Sequence, residues 1–348
     1  MKTFDFRSDT VTLPTDAMRA AMASAEVGDD VYGEDPTVNR LQDMAAERMG
    51  KRVGLFIPSG TMGNLIAVLA HCGRGDEAIM GHLGHTFLFE AGGISALGGV
   101  HPHTIPNQAD GTLRLEDILA AIRAEDDHFP PSRLVILENT HNRCGGVPIT
   151  VAYTHQVAEL AHGHGMALHL DGARIFNAAL GMNVPVKDLT RDVDSVTFCL
   201  SKGLSAPVGS VLCGSQEFIV KARKLRKQLG GGMRQVGVLA AAGIVALETM
   251  VERLVEDHVR AKQLAESLAN IDGLRIDMNS PQTNMVFFSL TGERGLFAKE
   301  VAQKLKALGV LVGVVGEKQF RLVTHYGIDD QALEACEAGF AQVAGINH

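Results

Sequence analysis

The sequence predicts an α/β protein with a large domain built on a mainly parallel sheet and a smaller α/β domain after it. Between about residues 15 and 214, strand-like segments alternate with helix-like segments at short intervals, as is typical of such sheets. After Gly232, small and apolar residues follow helical spacing over a span too long for one ordinary helix, which indicates a bridge between domains. The 348 residues, 46% of them apolar, suffice for two cores. We therefore predict a large domain over 1–250 and a small domain over 251–348.

The first helices and strands of the large domain have clear boundaries. "PTVNRLQDMAAERMG" opens with Pro36, which suits the first turn of a helix, and closes with Gly50. "VGLFIPSG" predicts a buried strand that leads into a second helix, "TMGNLIAVLAHCG". The remaining candidate strands are short apolar runs bounded by turn residues, and they cover residues 77–80, 133–139, 166–171, 195–200 and 209–214.

The residues after the bridge predict a small mixed sheet covered by helices. Their segments are "LRIDM", "NMVFFSL", "LFAKEVAQKLKALG", "VLVGVV", "QFRLVTHY" and a final helix. This alternation of apolar strands with helices is typical of a compact α/β unit.

Composition excludes several function classes. The net charge is −8 and basic residues concentrate only at 221–227, so nucleic acid is not an expected partner. The N-terminus lacks the apolar core of a signal peptide and no apolar run is long enough to span a bilayer, which predicts a cytoplasmic protein without a membrane partner. Five scattered cysteines without a C-x-x-C pair predict reduced thiols. The H-x-H pairs at 101/103 and 162/164 lack a third ligand at metal-site spacing, so no metal is expected.

"SGTMGN", from Ser59 to Asn64, is a candidate anion site. A strand that ends in Ser-Gly-Thr and passes directly into a helix offers free backbone N–H groups, a hydroxyl and the positive end of a helix. The same residues also suit an ordinary turn and helix cap, so this motif alone leaves both interpretations open.

Two charged residues follow predicted strands further along the chain. Asp171 in "LHLDGARIF" lies at the carboxyl end of a buried strand, where open α/β sheets bind ligands, although it could simply cap the next helix with Arg174 as its ion-pair partner. Lys202 in "FCLSKGLSAPVGSVL" is the single charge where an apolar strand gives way to small residues. Such a lysine can form a Schiff base with a carbonyl, or it can extend into solvent. "GGGMRQ" either delivers Arg234 from a flexible loop or starts a helix.

The order of these features narrows the choice. Pyridoxal phosphate needs a phosphate cradle, an acid opposite its pyridine nitrogen and a lysine that holds its aldehyde carbon as an imine. An anion-binding turn, a strand-end aspartate and a strand-end lysine occur here in that sequence. We therefore predict pyridoxal 5'-phosphate as the cofactor.

Nine motifs then carry a specific resemblance. They are "FRSDTVTLPTDAM", "VGDDVYGEDPTVNRLQ", "FIPSGTMGN", "HTFLFEAGG", "LENTHN", "LHLDGARIFNA", "CLSKGLSAPVGSVL", "GGGMRQ" and "RLVTH". From Phe6 to beyond His325 the chain resembles the low-specificity and L-allo-threonine aldolases. The resemblance implies the aspartate-aminotransferase-like fold, called fold type I, with a mainly parallel seven-stranded sheet. It also implies cleavage of L-allo-threonine or L-threonine between Cα and Cβ to glycine and acetaldehyde.

The resemblance further implies which residues bind the cofactor. Lys202 would form the imine, and Asp171 would pair with the pyridine nitrogen. The phosphate cradle would comprise Ser59, Gly60, Thr61 and Ser201, with Arg174 also near the cofactor. Arg234 would reach the cofactor phosphate of a neighbouring subunit, which implies shared active sites in a homotetramer built as a dimer of dimers.

For the amino-acid substrate, the resemblance assigns the carboxylate to Ser8, Arg174 and Arg321, since a planar guanidinium binds a carboxylate through two parallel hydrogen bonds. His85 would cover the cofactor ring and His128 would lie near the substrate hydroxyl. The base that takes the hydroxyl proton stays open between His85, His128 and a water molecule.

Two other functions remain open at this level. Another fold-type-I reaction, either transamination or β-elimination, would use the same cofactor residues and differ in its products. A non-enzymatic phosphate- or nucleotide-binding module would need no strand-end lysine. The sequence leaves the preference between the allo and threo epimers at Cβ undecided.

Overall fold

The computed structural model describes residues 2–278, 281–291 and 297–343. The predicted small domain also includes residues 279–280, 292–296 and 344–348, which lie outside the described residues, as does Met1. Leu296, the first residue of the helix predicted from "LFAKEVAQKLKALG", is one of them.

The strands are numbered along the chain. They are β1 (Phe4–Asp5), β2 (Val53–Ile57), β3 (Glu77–Gly81), β4 (His101–Ile105), β5 (Ser132–Glu138), β6 (Ala167–Asp171), β7 (Ser195–Cys199), β8 (Ser210–Gly214), β9 (Leu274–Ile276), β10 (Met285–Leu290), β11 (Val310–Leu311), β12 (Gly313–Val314) and β13 (Gln319–Val323).

The helices are numbered in the same way. They are α1 (Asp16–Ala23), α2 (Pro36–Arg48), α3 (Gly60–His71), α4 (His85–Leu88), α5 (Gly93–Ala96), α6 (Leu115–Ala121), α7 (Val151–Gly163), α8 (Ile175–Met182), α9 (Val186–Leu189), α10 (Gln216–Gln228), α11 (Gly237–Val245), α12 (Leu254–Ala269), α13 (Ala298–Ala307) and α14 (Asp330–Val343). None of these described helices has the length and apolar character needed to cross a membrane.

The large sheet has, among the described residues, seven strands in the order β2-β8-β7-β6-β5-β3-β4. The pairs from β7 to β4 are parallel, and β8 runs antiparallel to both β7 and β2. The predicted mainly parallel seven-stranded sheet is therefore confirmed. Strand β4 was missing from the candidate strands because its sequence, "HPHTI", is polar and lies at the sheet edge, where only Ile105 is buried.

The main hydrophobic core packs against the seven-stranded sheet and extends to Val251 and Leu254 in the bridge. Two satellite clusters flank the same sheet, and a separate smaller core takes in residues from Ala261 onward. The bridge is interrupted, as its length predicts, since a π-helical segment at residues 246–250 follows α11 and precedes α12. The boundary near residue 250 itself stays a prediction.

The N-terminal segment differs from its predicted place. Phe4 and Phe6 belong to the smaller core, and β1 pairs in parallel with β11. The expected mixed sheet also differs, because the four-stranded sheet β12-β13-β10-β9 is antiparallel throughout. Both differences arise from long-range pairing, which a segment as short as β1 does not reveal in its own sequence.

The edge of the large sheet that matters for function is set by strand direction. Because β5, β6 and β7 are parallel, their carboxyl ends meet at one edge. Glu138 and Asp171 end two of these strands, and Lys202 follows the third. This edge holds the candidate site.

Candidate active site

Lys202 lies in a tightly fixed turn after β7. Its carbonyl oxygen accepts hydrogen bonds from the backbone N–H of Ser205 at 2.9 Å and from the Thr12 hydroxyl at 2.9 Å. Ser205 has a φ of 62°, a left-handed conformation that closes the turn. At Gly203, a Cβ atom would lie 2.9 Å from a methyl group of Leu254, so only glycine fits without a shift. The backbone that carries the lysine is therefore held from several sides.

Asp171 is 3% exposed and accepts hydrogen bonds with both oxygens. Its Oδ2 accepts from the Asn64 amide at 2.9 Å and its Oδ1 from the backbone N–H of Ala173 at 3.1 Å. The same Asn64 amide nitrogen donates to Glu90 Oε1 at 2.8 Å, and His85 Nδ1 lies 2.9 Å from that oxygen. His85, Glu90 and Asp171 each present one atom within 4.8 Å of the others. Two buried carboxylates, Asp171 at the end of β6 and Glu90 just after α4, therefore lie side by side.

The surroundings change the pKa values of Glu90 and His85. Burial raises the pKa of Glu90, and the charge of Asp171 adds to that rise, although the hydrogen bond to His85 opposes it. For His85, burial disfavours the protonated ring, but the hydrogen bond to Glu90 and the charge of Asp171 outweigh it and raise the pKa. This part of the site therefore favours a positively charged N–H group.

The start of α3 supplies the complementary anion site. Ser59 caps the helix by accepting a hydrogen bond from the backbone N–H of Met62 at 3.2 Å. The N–H groups of Gly60 and Thr61 have no acceptor within the helix, and the helix dipole favours negative charge there. A Cβ atom on Gly60 would lie 2.9 Å from Cys199 Sγ, so the helix start packs closely against the end of β7, three residues before Lys202.

Arg174 and Arg321 lie beside this site in different surroundings. Arg174 binds Asp9 through two hydrogen bonds of 2.7 and 2.6 Å, and both side chains are buried. Although burial disfavours the ionised acid, Arg174 and Lys202 lower the pKa of Asp9 to about 2. Arg321 donates to Asn142 Oδ1 at 2.6 Å and to the Arg7 carbonyl at 3.0 Å.

The charge of Arg321 is less well compensated. Its Nε is buried without a partner among the described residues, and burial together with the charge of Arg174 lowers its pKa to about 10. Ser8 completes the group, since its hydroxyl lies 3.4 Å from Asp9 Oδ1. The structure thus brings Ser8, Arg174 and Arg321 together around Asp9, close enough to Lys202 for its charge to act on Asp9.

Two predicted residues are exposed on the single chain and pair with acids outside the group described above. The side chain of His128 is 87% exposed and pairs with Asp126 at 2.6 Å in the loop before β5. That loop enters the strand at the edge opposite Asp171, so within one chain the expectation for His128 is not met. Arg234 is 53% exposed and pairs with Asp29 at 3.0 Å. Any role for His128 in this site requires a second chain, and the roles of both residues stay predictions.

Sequence reasoning missed Asn64, Glu90, Glu138 and Asp9. Asn64 is a buried amide in a mainly apolar helix, which is a usable signal, and Glu138 ends a strand as Asp171 does. The Glu138 carboxylate accepts the backbone N–H groups of His85 and Asn142 at 2.7 and 2.9 Å. It thereby joins the start of α4, which carries His85, to the loop that carries Asn142, the partner of Arg321.

Comparisons with known proteins identify relatives over nearly the whole chain. The sequence profile of the beta-eliminating lyase family matches residues 5–291. The chain is 51% identical over 331 residues to low-specificity L-threonine aldolase 1 of Arabidopsis thaliana, covering 94% of this chain and 92% of that protein. It is 47% identical over 331 residues to the low specificity L-threonine aldolase of Escherichia coli strain K12, covering 94% and 96%.

A solved structure extends the likeness to the fold. The threonine aldolase of Leishmania major superposes with a TM-score of 0.83 at 23% identity, covering 98% of this chain and all of that one (100%). The predicted fold-type-I architecture is thereby confirmed.

Proposed function

Because the chain belongs to the beta-eliminating lyase family and, within it, to the low-specificity L-threonine aldolases, we propose that it cleaves L-allo-threonine and L-threonine to glycine and acetaldehyde with pyridoxal phosphate as cofactor. The observation that carries the proposal is the shared edge of β5, β6 and β7, where buried Asp171, Lys202 and the start of α3 lie together.

The donor set of this edge fits the cofactor. Asp171 and Glu90 suit a protonated pyridine nitrogen, and Glu90 Oε2 is buried without a partner among the described residues. The exposed N–H groups at the start of α3, with the hydroxyls of Ser59 and Ser201, suit the phosphate. Lys202 supplies the amine. When bound, pyridoxal phosphate accepts the electrons of the broken Cα–Cβ bond.

The chain's own residues orient the substrate and handle its proton. Arg321 binds the carboxylate, while Arg174, held by Asp9, adds positive charge beside it. His85 hydrogen-bonds Glu90 through Nδ1, which leaves Nε2 free to accept the β-hydroxyl proton. His85 is our choice of base, with a water molecule or a second chain's His128 as the alternatives.

We also propose a cytoplasmic homotetramer, built as a dimer of dimers with shared sites. Its support is Arg234, an exposed guanidinium with only Asp29 as its ion-pair partner among the described residues. In a shared site this arginine would reach the neighbour's cofactor phosphate. The reaction itself would consume threonine and supply glycine in amino-acid metabolism.

A product assay tests the proposal. We expect wild-type protein with pyridoxal phosphate to release glycine and acetaldehyde from both L-epimers, and Lys202→Ala to lose both this activity and the borohydride-reducible adduct. Lys187→Ala removes an exposed lysine and is the matched control. A keto acid, with or without ammonia, in place of glycine would instead establish another fold-type-I reaction. Persistence of the same adduct in Lys202→Ala would overturn the assignment of the lysine.

A further inference from the structure

A line of polar side chains, buried except for the half-buried His71 at its far end, runs away from Asp171. Asn64 is 2% exposed, and its Nδ2 lies 2.9 Å from Asp171 and 2.8 Å from Glu90. On its other side, Asn64 Oδ1 lies 3.3 Å from Nε2 of His169, a fully buried residue of β6. Beyond it, Ser195 Oγ lies 2.8 Å from His169 Nδ1 and 2.8 Å from His71 Nε2.

The two carboxylates determine which way the Asn64 amide is oriented. Asp171 Oδ2 and Glu90 Oε1 both lie near one atom of the Asn64 amide. If that atom were the amide oxygen, both acids would have to be protonated to donate to it. An NH₂ group, with one hydrogen for each carboxylate, satisfies both. The amide oxygen of Asn64 must therefore point to His169 and accept.

The orientation of Asn64 in turn determines which nitrogen of His169 carries the proton. Burial lowers the pKa of this imidazole to about 3, so the ring is neutral and carries one proton. Since Asn64 Oδ1 can only accept, the proton lies on Nε2. The Nδ1 lone pair must accept, and the Ser195 hydroxyl is its donor.

His71 ends the line. The Ser195 hydroxyl has given its hydrogen to His169, so its oxygen accepts from His71 Nε2. Burial lowers the pKa of His71 to about 4, so this ring is also neutral and protonated on Nε2. Stacking on Phe218, with ring centroids 4.7 Å apart, holds the imidazole in place. His71 and Asn64 are seven residues apart, which places them on the same face of α3.

We propose that His71, Ser195 and His169 form a one-directional hydrogen-bond chain that locks the NH₂ group of Asn64 against Asp171 and Glu90, and that these are positioning residues for the cofactor's pyridine nitrogen. A locked amide donates to Asp171 without competing for the proton that the carboxylate shares with the cofactor. An amide free to flip would place its oxygen against two acids and repel them. The link to the cofactor rests on the function proposed above, whereas the direction of the chain does not.

The direction can be measured without cofactor. In cofactor-free protein labelled with ¹⁵N-histidine, we expect NMR at pH 7 to show His71 and His169 as neutral rings protonated on Nε2. His71→Gln and His169→Gln would assign the signals. A proton on Nδ1 of either ring, or a charged ring at pH 7, would overturn the chain whether or not the protein is an aldolase.

The effect on the site is tested by two substitutions of His169. His169→Gln keeps an amide donor near the position of Nε2, whereas His169→Leu leaves the Asn64 oxygen without a donor. We expect His169→Leu to bind pyridoxal phosphate roughly tenfold more weakly and to shift the pH dependence of the bound cofactor's absorption, with His169→Gln close to wild type.

A matched control separates positioning from general stability. His258 is another half-buried imidazole like His71, and it bonds to Asn177 at 2.9 Å outside the His71–Ser195–His169 chain. His258→Leu should lower stability without changing the cofactor spectrum. Equal behaviour of the two His169 variants would leave the chain a purely structural feature and contradict the positioning role. If His169→Leu does not fold, Ser195→Ala offers the same spectral test. If wild-type protein did not bind pyridoxal phosphate, the proposed function would be wrong, but the NMR test of the hydrogen-bond direction would be unaffected.

Discussion

Arg174 and Arg321 lie in the same site but differ in what balances their charge. Arg174 is buried against Asp9 with two hydrogen bonds, so a carboxylate of the chain already occupies it. Among the described residues, Arg321 donates to two neutral acceptors, the Asn142 side chain and the Arg7 carbonyl. Among the described residues, no carboxylate forms an ion pair with it.

The family resemblance implied that both arginines bind the substrate carboxylate, but the structure gives them different surroundings. A buried ion pair is costly to break, so the Arg174 pair with Asp9 serves mainly to hold the N-terminal segment against the end of β6. A partly buried guanidinium without a counter-charge favours an incoming anion, which suits Arg321 to the substrate carboxylate. The following predictions test this division.

The largest effect is expected from Asp9→Asn. This change keeps the shape of the side chain but leaves the buried Arg174 guanidinium uncompensated, which costs about 3 to 5 kcal/mol in free energy of unfolding. Urea unfolding at pH 7 measures the loss. Asp5→Asn is the matched control, because the Asp5 carboxylate pairs with Arg7, whose side chain is 54% exposed, and such pairs contribute roughly 1 kcal/mol or less. If both variants lost the same free energy of unfolding, the buried Arg174 pair would be no more stabilising than an exposed one.

This division shows what the sequence could and could not predict. Asp171, Lys202 and the start of α3 were predicted because each depends on a local pattern, a strand end or a helix cap, together with the parallel order of the strands. Asp9 stands next to Ser8, which was predicted, yet its partner is 165 positions away. Local patterns carry no information about a pair so distant along the chain.

The same reason explains the other differences. The role of Glu90 depends on its contact with Asn64 of α3, which is 26 positions away along the chain. Likewise, β1 lies outside the large sheet because it pairs with β11. His128 was assigned by motif alone, and a motif does not state which edge of the sheet or which chain presents a residue. Direct contacts between distant segments are what the structure adds.

A second prediction concerns Arg321→Gln. If Arg321 binds the substrate carboxylate, kcat/KM should fall roughly 30-fold to 1000-fold, mostly through KM, because the lost interaction is a charged hydrogen-bonded pair. The free energy of unfolding should change little, since no carboxylate loses its partner. Arg321→Lys should recover part of the activity, because the ammonium keeps the charge without the planar pair of donors. A large loss of stability with unchanged KM would reverse the roles of the two arginines.

The smallest expected effect is a pH dependence that belongs to Asp9 alone. Arg174 lowers the pKa of Asp9 to about 2 in the folded protein, whereas the unfolded carboxyl has its ordinary value of 3.8. The resulting stabilisation is roughly 2 kcal/mol, is complete above the unfolded pKa and is lost as the pH falls through the folded pKa. About half should remain at pH 3. The advantage of wild type over Asp9→Asn in urea unfolding should therefore be about 1 kcal/mol smaller at pH 3 than at pH 7, since other carboxylates titrate alike in both proteins. An advantage that is the same at both pH values would mean that Asp9 is not held ionised by Arg174, and the contrast with Arg321 would lose its electrostatic basis.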